Sequence, residues 1–166
     1  MLNWLINRAK RTPYFHLKGY MERYWLVPYS NVITRAEGQT DGTGPVSGFR
    51  PIARLLQRFN VAVRVHHILR SDAGRDPHDH PWPYLTVILK GGYNELRYDA
   101  DGKLHSAKWH GPGSILWRPA KSLHKLVVRE GETAWTLFIT GRKQQSWGFK
   151  PEGQPKIPYW QYHGEA

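Results

Sequence analysis

The sequence predicts an all-β domain, a double-sheet jelly roll or small barrel preceded by short helical segments. A chain of 166 residues suits one domain and can bury a sizeable core. Glycine (16), proline (12) and aromatic residues (13%) favour many short elements joined by tight turns over a helical bundle. About seven or eight short strand patterns, separated by turn signals, fit a double sheet or barrel.

Residues 60–140 carry these strand patterns. The clearest strand is predicted at 61–69, where the sequence repeats every two residues. The pair Asp101-Gly102 is a strong signal for a two-residue hairpin turn. Other strands are predicted at 84–89, 93–98, 104–109, 114–118, 124–128 and 133–140. We therefore assign the barrel to residues 60–140, and we expect the aromatic, proline-rich tail at 141–166 to wrap it.

The N-terminal segment, residues 1–59, is predicted to pack on the barrel within the same single domain. Its first 12 residues are expected to form a short helix, and residues 14–29 a strand or an extended arm. A polar loop is predicted at Asn31–Ser47, where glycine and proline are frequent. Residues 51–59 have helical spacing, with proline at the first turn and apolar residues on one face.

Composition excludes several classes of site and partner. The chain has no cysteine, so disulfides and thiolate metal sites are excluded, whereas nine histidines are available as ligands. The formal charge of +11 favours anionic partners, and because the basic residues are dispersed we expect a small anionic molecule and no specific nucleic acid. No apolar run could span a bilayer and no signal peptide is recognised. These observations predict a cytoplasmic protein without membrane contact, for which a homodimer is one possible assembly.

His78 and His80 form a His-x-His pair between a loop and a strand pattern. In an extended segment, residues i and i+2 point to the same side, so both imidazoles can bind one ion. Imidazole nitrogen is a good ligand for iron, zinc, nickel, copper or cobalt. His124, at the start of a later strand, is the candidate third ligand. The pattern therefore predicts one divalent transition metal held by His78, His80 and His124.

The spacing around these histidines resembles the two sequence motifs of the cupin superfamily. The positions that match are His78, His80 and Gly92 for the first motif, and Gly113, Pro119 and His124 for the second. The resemblance covers roughly residues 60–140 and implies a cupin-type double-stranded β-helix, that is, a jelly-roll barrel. It also implies a small-molecule site near the metal, although this fold hosts very different activities.

Several motif positions differ from the cupin pattern. Asp72 stands where the first glycine is expected, and Tyr84 or Leu85 stands where the glutamate ligand is expected. Lys121 and Val128 replace the second-motif glycine and asparagine. A site without the glutamate is similar to that of cysteine dioxygenase and its relatives, which hold iron with three histidines. The resemblance therefore favours Fe(II), with Zn, Ni or Mn as alternatives.

Four further residues are candidates for a fourth ligand or for supporting the ligands. Asp76 and Asp79 could supply a carboxylate or orient a ligand imidazole, and loop capping is the alternative for both. His66 and His67 lie on opposite faces of one predicted strand, so only one of them can point into the barrel. Hydrogen bonding within the barrel wall is the alternative for this pair.

Five residues are candidates for substrate binding. An inward-facing arginine could bind a carboxylate or phosphate in a bidentate manner, and a surface ion pair is the alternative. A tryptophan could line an apolar pocket, and a purely structural place in the core is the alternative. These candidates are Arg64, Arg70, Arg118, Trp82 and Trp117.

The function that these residues suggest is a metal-binding cupin, with a dioxygenase for a small anionic molecule as the first hypothesis. A metal-dependent isomerase or lyase is an alternative within the same site. A second alternative is a non-catalytic module that binds a sugar or a carboxylate, and a third is an assembly protein without a metal. The sequence has no P-loop, dinucleotide-binding glycine pattern or nucleophile elbow. Whether the protein is an enzyme stays open at this point.

Overall fold

The computed structural model describes residues 2–27, 50–72 and 74–163. Its helices are α1 (Leu2–Ala9) and α2 (Arg50–Arg58). Its strands are β1 (Pro13–Leu17), β2 (Met21–Val27), β3 (Ala62–Ile68), β4 (Tyr84–Gly91), β5 (Tyr93–Tyr98), β6 (Leu104–His110), β7 (Ile115–Arg118), β8 (Leu123–Val127), β9 (Ala134–Thr140), β10 (Gly148–Phe149) and β11 (Ile157–Pro158). The predicted polar loop, Asn31–Ser47, lies outside the described residues.

The strands form antiparallel sheets that enclose a common interior. A six-stranded sheet has the order β1-β2-β3-β9-β4-β7, and a three-stranded sheet has the order β6-β5-β8. Strands β10 and β11 pair with each other, and His78 bridges His124 of β8 to Phe149 of β10. This arrangement confirms the predicted all-β jelly roll with short N-terminal helices.

Strand register determines which side chains point into the barrel. Arg64 and His66 of β3 pair directly with Phe138 and Thr136 of β9. Thr86 of β4 also pairs with Phe138. Directly paired residues share one face of a sheet, and all five of these side chains line the interior cavity. The six-stranded sheet therefore contributes one polar and aromatic wall of that cavity.

Two apolar cores stabilise the barrel from opposite sides of this sheet. The inner core fills the space between the sheets and includes Ile68 and Ile88, which are almost fully buried. The outer core lies beneath α1, whose Ile6 and Ala9 pack against Val65. Helix α1 is thus held by its buried face, as expected for an amphipathic helix of only eight residues.

The N-terminal segment contributes strands to the main sheet. The segment predicted as a strand or an arm forms β1 and β2, and β2 pairs with β3 from Met21 opposite Ile68 to Val27 opposite Val63. The division of the chain at residues 59 and 140, like the homodimer, stays a prediction. Neither α1 nor α2 is long and apolar enough to cross a membrane.

Gly91 and Gly19 offer a matched test of how tightly β4 packs against β9. Both have a positive φ, 68° and 69°, so alanine is strained at either position. A Cβ at Gly91 would also lie 1.9 Å from the carbonyl oxygen of Thr133, whereas one at Gly19 would meet no atom within 4 Å. We expect Gly91→Ala to lower the free energy of unfolding by about 1–3 kcal/mol more than Gly19→Ala, measured by urea denaturation. Equal losses would contradict this packing.

Candidate metal centre

Backbone pairing brings the three predicted histidine ligands together. The N–H of His78 donates to the carbonyl of His124 (3.1 Å), and the N–H of His124 donates to the carbonyl of His78 (3.0 Å). Residues paired in this way project their side chains to the same face. The N–H of His80 donates to the carbonyl of Ala120 (3.0 Å), which fixes the next ligand position beside β8.

The geometry of the cluster suits one divalent metal ion. Each of His78, His80 and His124 offers one ring nitrogen, and these nitrogens all lie within 4.8 Å of one another. Nε2 of His80 is 2.9 Å from Nε2 of His124. Two nitrogens bound to one ion at about 2.1 Å lie about 3.0 Å apart at a right angle and about 3.4 Å apart at the tetrahedral angle. Nδ1 of His78 is buried without a hydrogen-bond partner among the described residues, which leaves an imidazole nitrogen unsatisfied.

Burial keeps the imidazoles of His78 and His80 neutral at physiological pH. Loss of solvation lowers the pKa of His78 to about 4, although the nearby Asp72 carboxylate raises it. Burial, and then the neighbouring His124, hold the pKa of His80 well below its usual value of 6.5. Neutral imidazole is the form that binds metals, so both rings are in the ligating state before an ion arrives.

Glu95 of β5 contacts His124 at Nδ1, the nitrogen that faces away from His80. It is not among the site residues predicted from the sequence. Its Oε1 lies 3.3 Å from Nδ1 of His124 and accepts a hydrogen bond from Nε of Arg118 (3.0 Å). Burial alone would raise the pKa of this carboxyl, but the hydrogen bonds from His124 and Arg118 lower it to about 2. The ionised carboxylate favours a proton on Nδ1 of His124 and so leaves Nε2, which faces His80, free to bind metal. The sequence did contain a signal for this role, because Glu95 is an acidic residue at an inward-facing position of the strand predicted at 93–98.

The cluster opens on a cavity of about 460 Å³ inside the barrel. Its lining is largely apolar and aromatic, with Leu116, Leu126 and Phe138 among the wall residues. Arg64, only 4% exposed, also lines the cavity. Its guanidinium lies 4.3 Å from the ring centre of Trp25 and 5.0 Å from that of Trp82. An apolar cavity with a few convergent polar groups is typical of small-molecule sites.

Two of the five candidates for substrate binding are brought together at the cavity, and the other three lie elsewhere. Arg64 and Trp82 line the cavity. Arg118 binds Glu95 in a bidentate manner. Arg70 donates to the carbonyl of Gly19 outside the lining, and Trp117 is 62% exposed on β7. The geometry therefore leaves Arg64 and Trp82 as the members of this set beside the cavity.

The aspartates predicted as possible ligands bind the C-terminal tail. Asp79 accepts hydrogen bonds from Nε2 of Gln145 (2.7 Å), the N–H of Gly148 (2.9 Å) and Nζ of Lys156 (2.5 Å). Asp76 accepts a hydrogen bond from the hydroxyl of Tyr162 (3.0 Å). Through Asp79, the tail is anchored directly between the two histidines of the His-x-His pair.

His66 and His67 take different positions, as their alternation predicts. His66 lines the cavity and stacks on Phe138 at 4.7 Å between ring centres. His67 lies on the outer face, where it stacks on Trp135 (4.0 Å) and its Nδ1 lies 2.9 Å from Glu22. Neither belongs to the three-histidine cluster.

Comparison with known proteins bears on the fold of the chain. The sequence matches no known family profile and no curated protein. Among solved structures, a vicilin from Solanum melongena aligns with a TM-score of 0.54 and 13% identity over 86% of this chain and 34% of that one. The DMSP lyase DddQ from Ruegeria pomeroyi aligns with a TM-score of 0.50 and 17% identity over 88% of this chain and 64% of that one. A cupin-like protein from Thermotoga maritima aligns with a TM-score of 0.49 and 14% identity, over 86% and 81% of the two chains.

The chain has the cupin fold. This confirms the fold that the motif spacing predicted, and the three motif histidines lie together inside the barrel. At 13% and 17% identity the likeness extends to the fold alone. The alignments span about a third of the vicilin chain and less than two thirds of the lyase chain.

The buried histidines predict that the metal-free protein loses stability in mild acid. The unfolded chain protonates His78 below about pH 6.5, while the folded chain does so only near pH 4. Its contribution to stability is therefore complete above about pH 6.5 and is lost progressively as the pH falls towards 4. From pH 7 to pH 5, we expect His78 alone to lower the free energy of unfolding by about 2 kcal/mol.

Urea denaturation with chelator present checks this prediction. His78→Asn should flatten the pH dependence by that amount, whereas His105→Asn, at an exposed position on β6, should leave it unchanged. A wild-type stability that is the same at both pH values would contradict it.

Proposed function

We propose that this chain is a metal-dependent enzyme that acts on a small anionic molecule, with iron-dependent dioxygenation as the first reaction to test. In this proposal His78, His80 and His124 bind the metal. The observation that carries it is a cluster of three histidines that opens on a cavity inside the barrel.

The charges around the cavity favour an anionic substrate. Three neutral ligands leave the bound ion its full positive charge. Arg64 adds a guanidinium that lies 4.3 Å and 5.0 Å from the ring centres of Trp25 and Trp82, and these contacts favour one position of the side chain before a ligand binds. The same substrate would therefore meet positive charge at the histidine cluster and at Arg64.

The metal and five residues of the cavity have distinct roles in this proposal. When bound here, Fe(II) supplies the redox chemistry that dioxygenation of an organic substrate requires. Glu95 keeps the proton of His124 on Nδ1, and Arg64 binds and orients the anionic group of the substrate. Leu116, Leu126 and Phe138 give the cavity an apolar wall, beside which an electrostatic interaction is stronger than in water.

A metal-dependent lyase or isomerase is the second candidate function. Such reactions need a group that moves a proton, and the hydroxyl of Tyr84 lies 3.3 Å from Nε2 of His124. A non-catalytic module that binds a sugar or a carboxylate would use the same cavity and would leave its ligand unchanged.

Metal content is the first test of this proposal. We expect wild-type protein, purified without chelator, to contain about one equivalent of a divalent transition metal by elemental analysis. His124→Ala should retain less than about a tenth of that amount, because a ligand is lost. His105→Ala, at an exposed position on β6, is the matched control and should match the wild type. A wild type that binds no iron, zinc, nickel or manganese even after their addition would refute the proposal.

Oxygen consumption then separates the candidate reactions. We expect the iron-loaded protein to consume dioxygen with one or more of a panel of small carboxylates and thiols, and the zinc-loaded protein to consume none. Substrate turnover without dioxygen in both forms would favour the lyase or isomerase. Binding without turnover in either form would favour the non-catalytic module.

Glu95 should tune metal affinity without being a ligand. Glu95→Gln removes the charge that fixes the proton of His124 and leaves Arg118 without its carboxylate partner. We expect its affinity for Zn(II) to fall about 10–100-fold by competition titration. Glu22→Gln changes the matched carboxylate–histidine pair with His67 on the outer face and should leave the affinity unchanged. Equal affinities of Glu95→Gln and the wild type would contradict this role.

A further inference from the structure

One wall of the cavity carries basic side chains from two neighbouring strands. Arg23 of β2 pairs directly with His66 of β3, and Trp25 pairs in the same way with Arg64. Directly paired residues share one face of a sheet, and Arg23, Arg64 and His66 all line the cavity. We term these three residues the basic wall. It lies on strands that contribute no ligand to the three-histidine cluster.

The positive charge of the basic wall comes from its two arginines. Burial lowers the pKa of His66 well below its usual value of 6.5, and the charges of Arg64 and Arg23 lower it further. The imidazole is therefore neutral at physiological pH, and both guanidiniums lie close enough to act on it. Arg64 is itself buried. A buried cation attracts an anion more strongly than an exposed one does, because less water screens it.

His66 adds a ring nitrogen that has no hydrogen bond. Its Nε2 is buried and lacks a hydrogen-bond partner among the described residues. Stacking on Phe138, with 29° between the ring planes, favours one orientation of the imidazole. A buried polar atom normally has a partner. In the tautomer with the proton on Nε2, the ring can donate a hydrogen bond to an oxyanion beside the two guanidiniums.

The carboxylates that line the cavity lie against the other sheet. Asp72 accepts a hydrogen bond from the N–H of Leu126 on β8 (2.9 Å), and Glu95 of β5 binds Arg118. The arginines of the basic wall belong instead to β2 and β3 of the six-stranded sheet. Charge is thus unevenly distributed around the cavity, and an anion is favoured at the basic wall.

One aromatic ring separates the basic wall from the histidine cluster. The centre of the Phe138 ring lies 4.7 Å from that of His66 and 5.9 Å from that of His80. Arg64 and His66 are also close enough to His80 for their charges to lower its pKa. A small molecule with an anionic group at the basic wall can therefore reach the metal position with its other end.

We propose that the substrate is a bifunctional molecule, with a carboxylate or phosphoryl group bound by Arg23 and Arg64 and a second donor group bound by the metal. This inference rests on the proposed function and deepens it, because it names the class of substrate that the same cavity takes. Arginine suits this role, because its planar guanidinium binds both kinds of oxyanion in a bidentate manner. Attachment at both ends makes the affinity depend on the length of the molecule.

Titration calorimetry with two series of probes tests the inference. The probes are dicarboxylates from malonate to pimelate and phosphonocarboxylates of the same lengths. We expect one chain length to bind the zinc-loaded wild type at least about tenfold more tightly than the metal-free protein. Arg23→Gln and Arg64→Gln should each weaken that binding about tenfold, because charge-assisted hydrogen bonds are lost. The series that binds more tightly identifies the oxyanion as carboxylate or phosphoryl.

Arg129→Gln is the matched control. This arginine also lies over a tryptophan, at 4.5 Å from the ring centre of Trp109, but it does not line the cavity. Its affinities for the probes should equal those of the wild type. Arg23 is only half-buried, so Arg23→Gln keeps the inference testable where Arg64→Gln fails to fold.

Two results overturn the bifunctional substrate and leave the metal site intact, provided that the wild type binds zinc. One is equal probe affinity in Arg23→Gln and the wild type. The other is an affinity that is the same for every chain length, or the same with and without zinc. A wild type that binds no metal overturns the metal site and the inference together.

Discussion

The direct pairing of His78 with His124 is the contact on which the rest of the site depends. Two reciprocal backbone hydrogen bonds place these residues opposite each other, so both imidazoles point into the barrel. The same residue bridges to Phe149, which joins the tail to the second sheet. One loop residue thus aligns a candidate ligand, closes the space between β8 and β10 and sets where His80 enters the cavity.

Two buried carboxylates beside this pairing, Glu95 and Asp79, each have charged and hydrogen-bonding partners. Glu95 faces His124 and Arg118, and Asp79 faces Lys156 and the N–H of Gly148. Isolated buried carboxylates would be costly, whereas partnered ones hold their neighbours in fixed orientations. The Glu95 group orients a candidate metal ligand, and the Asp79 group holds the tail against the cavity. The same buried ion pairs therefore determine both the charge distribution around the site and the position of the tail beside it.

The sequence predicted the fold class and the histidine cluster because both depend on local patterns. The two-residue repeat of β3, the glycine and proline turn signals and the spacing of His78, His80 and His124 are all readable along the chain. The roles of Asp79 and Arg118 could not be read in this way, because their partners, Lys156 and Glu95, are 77 and 23 residues away. Nor does spacing show that β2 would add to the main sheet beside β3.

The sequence by itself determined the kinds of donor available: no thiolate, a His-x-His pair, and a third histidine in register within a cupin-like motif. Only the tertiary structure decided which side chains surround them. It placed Glu95 behind His124, turned Tyr84 inward where spacing allowed Leu85 equally well, and directed Asp79 to the tail. The physical reason is that composition and period are properties of one segment, whereas register and packing arise between segments far apart in the chain.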